Sequence, residues 1–554
     1  MLKRNQIKFK TLVLLAFLLT IGNVNAQDSL EDVRIVVLGD ANIVLTEAIK
    51  VDYNPQVDPP KLNPPTLTYP LDDKKYKTKP EIIPARAQTY NTKENEKLYG
   101  NYTRLGFGMY QMPLFETYLN NTRSKNLDYG MRYKFLSGEY KPLNQLFTDH
   151  DAGAHFTYNI SPLSNINVHG GYLRNRINWY GFSPDSNKVG MDTSRNVYNN
   201  ISVGGSYVKK GKALNDFTYG GGLDYYFQND KFGNKENYLS LNGEVKKMVK
   251  AHLLTLPLRI TTTSFGKDTV SSRLFVDLNP RWFLDYGRLT LNVGFNSTLY
   301  HDSTGGKLHW FPYADFKVKL IENKLIAHMG IERGLMQNTY ASIIKQNPFI
   351  DTSIDLKYTN VKSRLFLGIW GSISSKAAFG VEADLGNYIN MPMFLGDTSV
   401  LRKYKVIYDN VDIFNVKATL QLQWAEAFKS TLEFGYHNYH TDDQKYYWNM
   451  PNIDAKLNFQ YNYKNKFTAK VTGYYLGERY GKNFEYRDST KVSLNNDAVK
   501  LPAIIDLNIA LEYRYNKMIA VFLNGNNLTN QAYRRWLNYP VYKLAILGGV
   551  AFTF

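Results

Sequence analysis

His437 and His440 are the closest-spaced histidines in the sequence. Two imidazoles can share a divalent cation when they project from one face. A spacing of three on a strand sends them to opposite faces, so no shared metal is expected there. Asp149, His150 and Asp151 gather two carboxylates and an imidazole in a stretch read as an external loop. Such a cluster could hold Ca2+, but a solvated acidic turn is the simpler reading. The remaining histidines are scattered, and no serine-containing element offers a nucleophile with a histidine partner. Phosphate-loop, CxxC and HExxH patterns are absent. No catalytic residue, cofactor or metal site is expected, and the chain is not read as an enzyme.

The elements that carry these groups are strands. Leu274, Val276, Leu278 and Trp282 alternate with Arg273, Asp277, Asn279 and Arg281. The same alternation runs through residues 289–299, 414–424 and 505–514. These runs are about 9–11 residues long, the length that crosses a bilayer at the tilt of a barrel strand. In the final stretch, residues 541–554, the even positions are apolar almost throughout and end on Phe554. Alternation alone is symmetric between a soluble sandwich and a membrane barrel. A barrel places the apolar face outside and the polar face in the lumen.

Connection lengths alternate too. Short turns are predicted near 121–126, 161–163, 209–215, 249–251, 284–287, 321–324, 373–376, 425–427, 463–466 and 515–517. Longer loops are predicted between them, near 138–150, 175–197, 228–235, 300–308, 336–360, 388–403, 440–450, 477–502 and 526–540. Tight on one side and long on the other marks a transmembrane barrel with periplasmic turns and external loops. The expectation is an all-β, transmembrane antiparallel β-barrel of about 18–22 strands over residues 98–554. The upper number applies if residues 98–119 form two strands about Gln111, Met112 and Pro113. Trp282, Trp310, Trp370, Trp424 and Trp536 read as interfacial belts.

Lys3, Arg4, Lys8 and Lys10 precede an apolar run over residues 11–22, and Val24-Asn25-Ala26 offers a small-residue cleavage site. The run is shorter than the roughly 20 residues of a spanning helix, so residues 1–26 read as a cleaved secretory signal. Residues 27–97 hold Pro55, Pro59, Pro60, Pro64, Pro65, Pro70, Pro80 and Pro84. Proline lacks a donor and fixes φ, which predicts a short, extended, periplasmic arm. That arm serves as a linker or as a strap for a periplasmic or outer-membrane protein partner.

Aromatics make up 14% of the chain, with 43 tyrosines, at a mean hydropathy of -0.39. That combination disfavours helical membrane proteins and disorder, and suits alternating strands with interfacial rings. With no cysteine there is neither a disulfide framework nor a lipid-attachment cysteine. The net charge of +18 invites a nucleic-acid reading. Export and the dispersal of the basic residues argue instead for lipopolysaccharide and outer-membrane lipid as the anionic partners. The expected location is the outer membrane of a Gram-negative bacterium, reached through the barrel-assembly machinery.

Asn527, Leu528, Asn530, Tyr533, Trp536, Pro540 and the terminal Phe554 resemble the carboxy-terminal end of TonB-dependent receptors. Gly106, Gly108 and Pro113 lie in a stretch similar to the first barrel strands of receptor-like proteins of the Bacteroidota type. The family usually carries Gly-Arg before its last strand, where this chain has Tyr542-Lys543. The resemblance implies a receptor barrel, and residues 27–97 leave no room for the family's plug domain. The first expectation is therefore a non-catalytic scaffold or accessory subunit of an outer-membrane transport, secretion or barrel-assembly complex. The alternatives are a passive porin-like channel for hydrophilic or anionic solutes, and TonB-dependent uptake of a nutrient or metal chelate.

Overall fold

The computed structural model describes residues 99–554, except 122–123, 125, 182–193, 214, 268–269, 303–304, 398–402, 483–484, 487–491 and 494–497. The expected signal peptide, 1–26, and the proline-rich arm, 27–97, lie outside the described residues.

The barrel strands form one antiparallel sheet in which each pairs with the barrel strands before and after it, and, among the described residues, three small two-stranded sheets lie in the connections. Tyr102–Gly108 also pairs with Ala545–Thr553, which closes the sheet on itself. The result is an all-β, 22-strand antiparallel barrel. One strand is broken: Val270–Leu278 and Arg281–Asp285 share the same two neighbours across Asn279 and Pro280. Pro280 has no N–H to give to the ladder, so the break falls there. Residues 98–119 form two strands, Tyr102–Gly108 and Met112–Asn120, which gives the upper end of the expected count.

The side chains sort as a membrane barrel requires. Phe107 is 65% exposed and Trp310 61%, and Ile201, Leu365 and Ile505 also face outward. On the alternate positions lie Arg364, Asp384, Asn415 and His437, which bond to one another inside. Trp282 and Trp424 are exposed on the outer wall, as the belt reading expects. Trp370 and Trp536 depart from it. Trp370 faces inward with its ring 3.6 Å from that of His328, and Trp536 is buried among loop residues.

All ten short turns fall where the sequence places them. Four expected long loops are shorter than read: 228–235 narrows to residues 231–234, strand Ala377–Gly396 takes up the first half of 388–403, and 138–150 and 300–308 are largely strand. In place of loop 138–150 the chain makes a tight 3-10 turn, Lys141–Leu143, and re-enters the sheet at Gln145. Asp149, His150 and Asp151 are therefore strand residues rather than a solvated turn. Asp149 accepts from Asn175 at 2.9 Å, Asp151 pairs with Arg132 at 3.2 Å, and His150 bonds Tyr133 at 2.9 Å. Alternation continues through this segment, with Asp149 and Asp151 facing the lumen and His150 facing outward opposite Arg174, so the ladder persists. The expected loop 300–308 is likewise strand on both sides of residues 303–304.

The seam is tightly fitted. Gly106 lies opposite Gly549, and a Cβ on Gly549 would overlap the Leu105 carbonyl oxygen and press on Phe522. Gly549→Val should therefore hinder closure, at a cost of about 1–3 kcal/mol or more from overpacking. The folded fraction on unheated denaturing gels should fall, while Val550→Ala on the outward face should leave it unchanged.

Candidate functional site: the outer cap and the lumen wall

The short turns and both ends of the barrel sheet share one rim, which places the long loops at the opposite, external mouth. The described residues of these loops pack on one another. One buried cluster joins Tyr198, Phe265, Tyr340, Ile343, Ile350, Phe394, Tyr404, Trp536 and Tyr539. These residues come from hairpins spaced around the whole ring, so they can meet only across the mouth of the lumen.

At the centre is a short helix, α1 (Tyr340–Gln346), in the loop between Leu325–Met336 and Thr359–Ser374. Thr339 caps it: its hydroxyl accepts from the Ser342 N–H, and the Ser342 hydroxyl accepts from the Thr339 N–H, a reciprocal capping box. The barrel rim supplies a second anchor. Glu236, fully buried, accepts from the backbone N–H of Tyr340 at 2.8 Å and of Ala341 at 3.0 Å. These are orphan donors of the first helical turn, so a carboxylate is well placed there. The Tyr340 hydroxyl donates to Asp230 at 2.6 Å. Burial, followed by Tyr198 and Asp230, holds the Tyr340 phenol well above its usual range, so it remains a donor.

The rest of the loop is laced to its neighbours. Asn234 donates to the Thr352 carbonyl at 2.9 Å and Tyr198 to the Pro348 carbonyl at 2.8 Å. Ile350 forms a bridge with Tyr404, whose hydroxyl donates to Leu537 at 2.7 Å. Phe349 stacks on Tyr539 with centroids 3.9 Å apart. Beside this cluster, Tyr447 and Trp448 pack with Met393, Val411 and Ile413. Arg479, 1% exposed, donates to the carbonyls of Gly477 and Arg534. Burial, and then Arg535, push its guanidinium down to about 10. It stays charged at neutral pH, with the two carbonyls offsetting part of the desolvation.

The residues picked out by resemblance serve this cap and the seam. Asn527, at φ 51°, donates from its amide to the carbonyls of Gln531 and Tyr542, tying both ends of the last loop. Asn530, at φ 55°, accepts from the Leu544 N–H, and Tyr533 donates to Asp506. Leu528 sits against Gly525. Trp536 packs edge-on against Phe394, and the Pro540 carbonyl accepts from Tyr180 at 3.0 Å. Gly106 and Gly108 lie where the first strand crowds Leu547, Pro113 pairs with Phe107, and Phe554 exchanges backbone bonds with Asn101.

Below the cap the lumen wall carries ordered charge. Arg364 reaches Glu332 at 3.0 Å, Glu382 at 3.0 Å and Asp384 at 3.2 Å. Asn415 donates to Asp384, and His437 bridges Asn415 at 2.7 Å and Asp454 at 2.6 Å. This chain of polar contacts crosses six adjacent strands and borders a recess of about 620 Å³ that also meets Arg259, Arg281 and Lys417. His440 is exposed on the opposite face from His437, as the spacing requires. Among the described residues no group of three or more acidic, histidine or cysteine side chains is arranged to hold a metal ion. Inward parity marks each of these residues as lumenal, but nothing local says which of them meet.

No family model matches the chain, and neither does any curated protein. Solved structures do. The chain is similar in fold to the FrpB iron transporter from Neisseria meningitidis, at 10% identity and a TM-score of 0.64, over 83% of this chain and 82% of that one. It is similar to the ferric-catecholate import receptor Fiu of E. coli, at 9% identity and a TM-score of 0.62, over 82% of each chain. The ferripyoverdine receptor of the outer membrane of Pseudomonas aeruginosa matches at 12% identity and a TM-score of 0.62, over 83% of this chain and 72% of that one. The fold is a 22-strand barrel similar to those of TonB-dependent receptors.

Proposed function

We propose that this protein is an outer-membrane uptake receptor that admits a nutrient or metal chelate by energised gating, with a periplasmic TonB-type partner. The observation that carries this reading is the packed loop cap over a charged lumen, set in a barrel whose fold resembles iron and ferric-chelate receptors. A mouth covered by a buried aromatic core suits a gate that opens in response to a ligand more than a steadily open pore. The test is accumulation of radio-iron-labelled ferric catecholates and ferripyoverdine in a receptor-deficient Gram-negative host, with and without TonB. TonB-dependent accumulation of one of these chelates is the expected result. Equal accumulation in both hosts, or large steady conductance of the purified protein in planar bilayers, would overturn it.

The self-packed cap also favours a second reading, the scaffold subunit, because a covered mouth needs no solute. Bilayer silence of the protein with and without residues 27–97, together with no chelate uptake, is the outcome that reading requires.

A further inference from the structure

We infer that Arg174 and Arg176, on the outer wall of the barrel, form a docking site for a phosphate of an outer-leaflet glycolipid. Both lie on Ser164–Asn178, where Ile166 pairs outward with Tyr158 and Tyr207, and Val168 with Phe156 and Gly205. Ile166, Val168, Tyr158 and Phe156 are all exposed, as are Ile201 and Val203 on the next strand, which marks this face as the apolar band. Alternation puts Arg174 and Arg176 on the same face, beyond that band and toward the external loops. Headgroups of the outer leaflet begin at that level.

Their surroundings carry more positive than negative charge. Arg176 lies within electrostatic reach of Arg174, Arg195 and the single carboxylate Glu139. The Arg176 Nε is buried without a hydrogen-bond partner. Positions i and i+2 on a strand are about 7 Å apart, so two guanidinium forks can converge on one phosphate. His150, opposite Arg174, and Tyr133, bonded to it, add polar rings at the same level. The acyl chains of the same lipid would lie on Ile201 and Val203, the part of the band nearest Arg174. This pairing of a cationic rim with an apolar wall favours a phosphorylated lipid over a soluble anion.

The test is native mass spectrometry of the full chain in detergent, titrated with bisphosphorylated lipid A, phosphatidylglycerol or inorganic phosphate. Wild type should retain lipid A, and R174Q/R176Q should lose about tenfold or more in apparent affinity. K247Q, which removes a cation at the opposite rim, should bind as wild type does, and R174K/R176K, which keeps the charge but not the fork, should fall between wild type and R174Q/R176Q. Heat-modifiable migration on gels confirms that each variant is a folded barrel. Equal lipid A retention by wild type and R174Q/R176Q would overturn the inference. So would inorganic phosphate or phosphatidylglycerol displacing lipid A at comparable concentration.

Discussion

Tyr340→Ala should release the loop that carries α1 while leaving the barrel intact. The ring is fully buried, 4.9 Å from Phe265 and 6.4 Å from Tyr198, and its hydroxyl satisfies Asp230. Truncating such an aromatic costs about 3–5 kcal/mol. The loss is local, because α1 is not part of the sheet and the barrel ladder does not depend on it. Amide exchange over residues 340–346 should rise by about a hundredfold or more, with strands such as Ile504–Arg514 unchanged. Tyr340→Phe should give a smaller rise, reflecting one hydrogen bond to a carboxylate at about 1.5–3 kcal/mol. Glu236→Ala should act in the same direction by freeing two helix donors. Unchanged exchange in all three variants would show that these contacts do not hold the cap.

Arg364→Met should be the most destabilising single change on the lumen wall. It leaves Glu332, Glu382 and Asp384 facing one another without their shared cation. Breaking a buried ion pair costs about 3–5 kcal/mol, and partial solvent access to Arg364 reduces this to about 2–3 kcal/mol. The midpoint of urea unfolding in detergent should fall accordingly. Adding Asp384→Asn to Arg364→Met should recover part of the loss, since it removes one of the stranded charges. The two changes should be strongly non-additive in a double-mutant cycle. Additive effects would mean that Arg364 and Asp384 do not act together.

The uptake and scaffold readings differ in what the cap is for. In the first, contacts such as Glu236 with α1 have to be broken and remade as ligand passes. In the second they are permanent, and the cap variants would change stability without changing any transport.

Much of this architecture is legible in the chain itself. Strand alternation determined which residues face lipid and which face the lumen, because each position reports its own surroundings with a period of two. Phe107, Ile505 and Trp424 lie on the outside for that reason, and His437 and His440 lie on opposite faces. Turn positions, the closing strand and the upper strand count followed from the same local pattern and from connection lengths. Near 138–150, 228–235, 300–308 and 388–403 the chain is strand where its sequence reads as loop, because polar lumenal residues such as Asp149 resemble a solvated loop in sequence. Trp370 and Trp536 escaped for a related reason: an aromatic ring near a strand end carries no local sign of whether it meets lipid, lumen or cap. Partners were decided only by tertiary structure. Arg364 finds its carboxylates through strand register, and Tyr180 meets Pro540 across 360 residues of sequence. Those contacts arise when the ring closes and brings distant hairpins over one mouth, a long-range event that local periodicity does not encode.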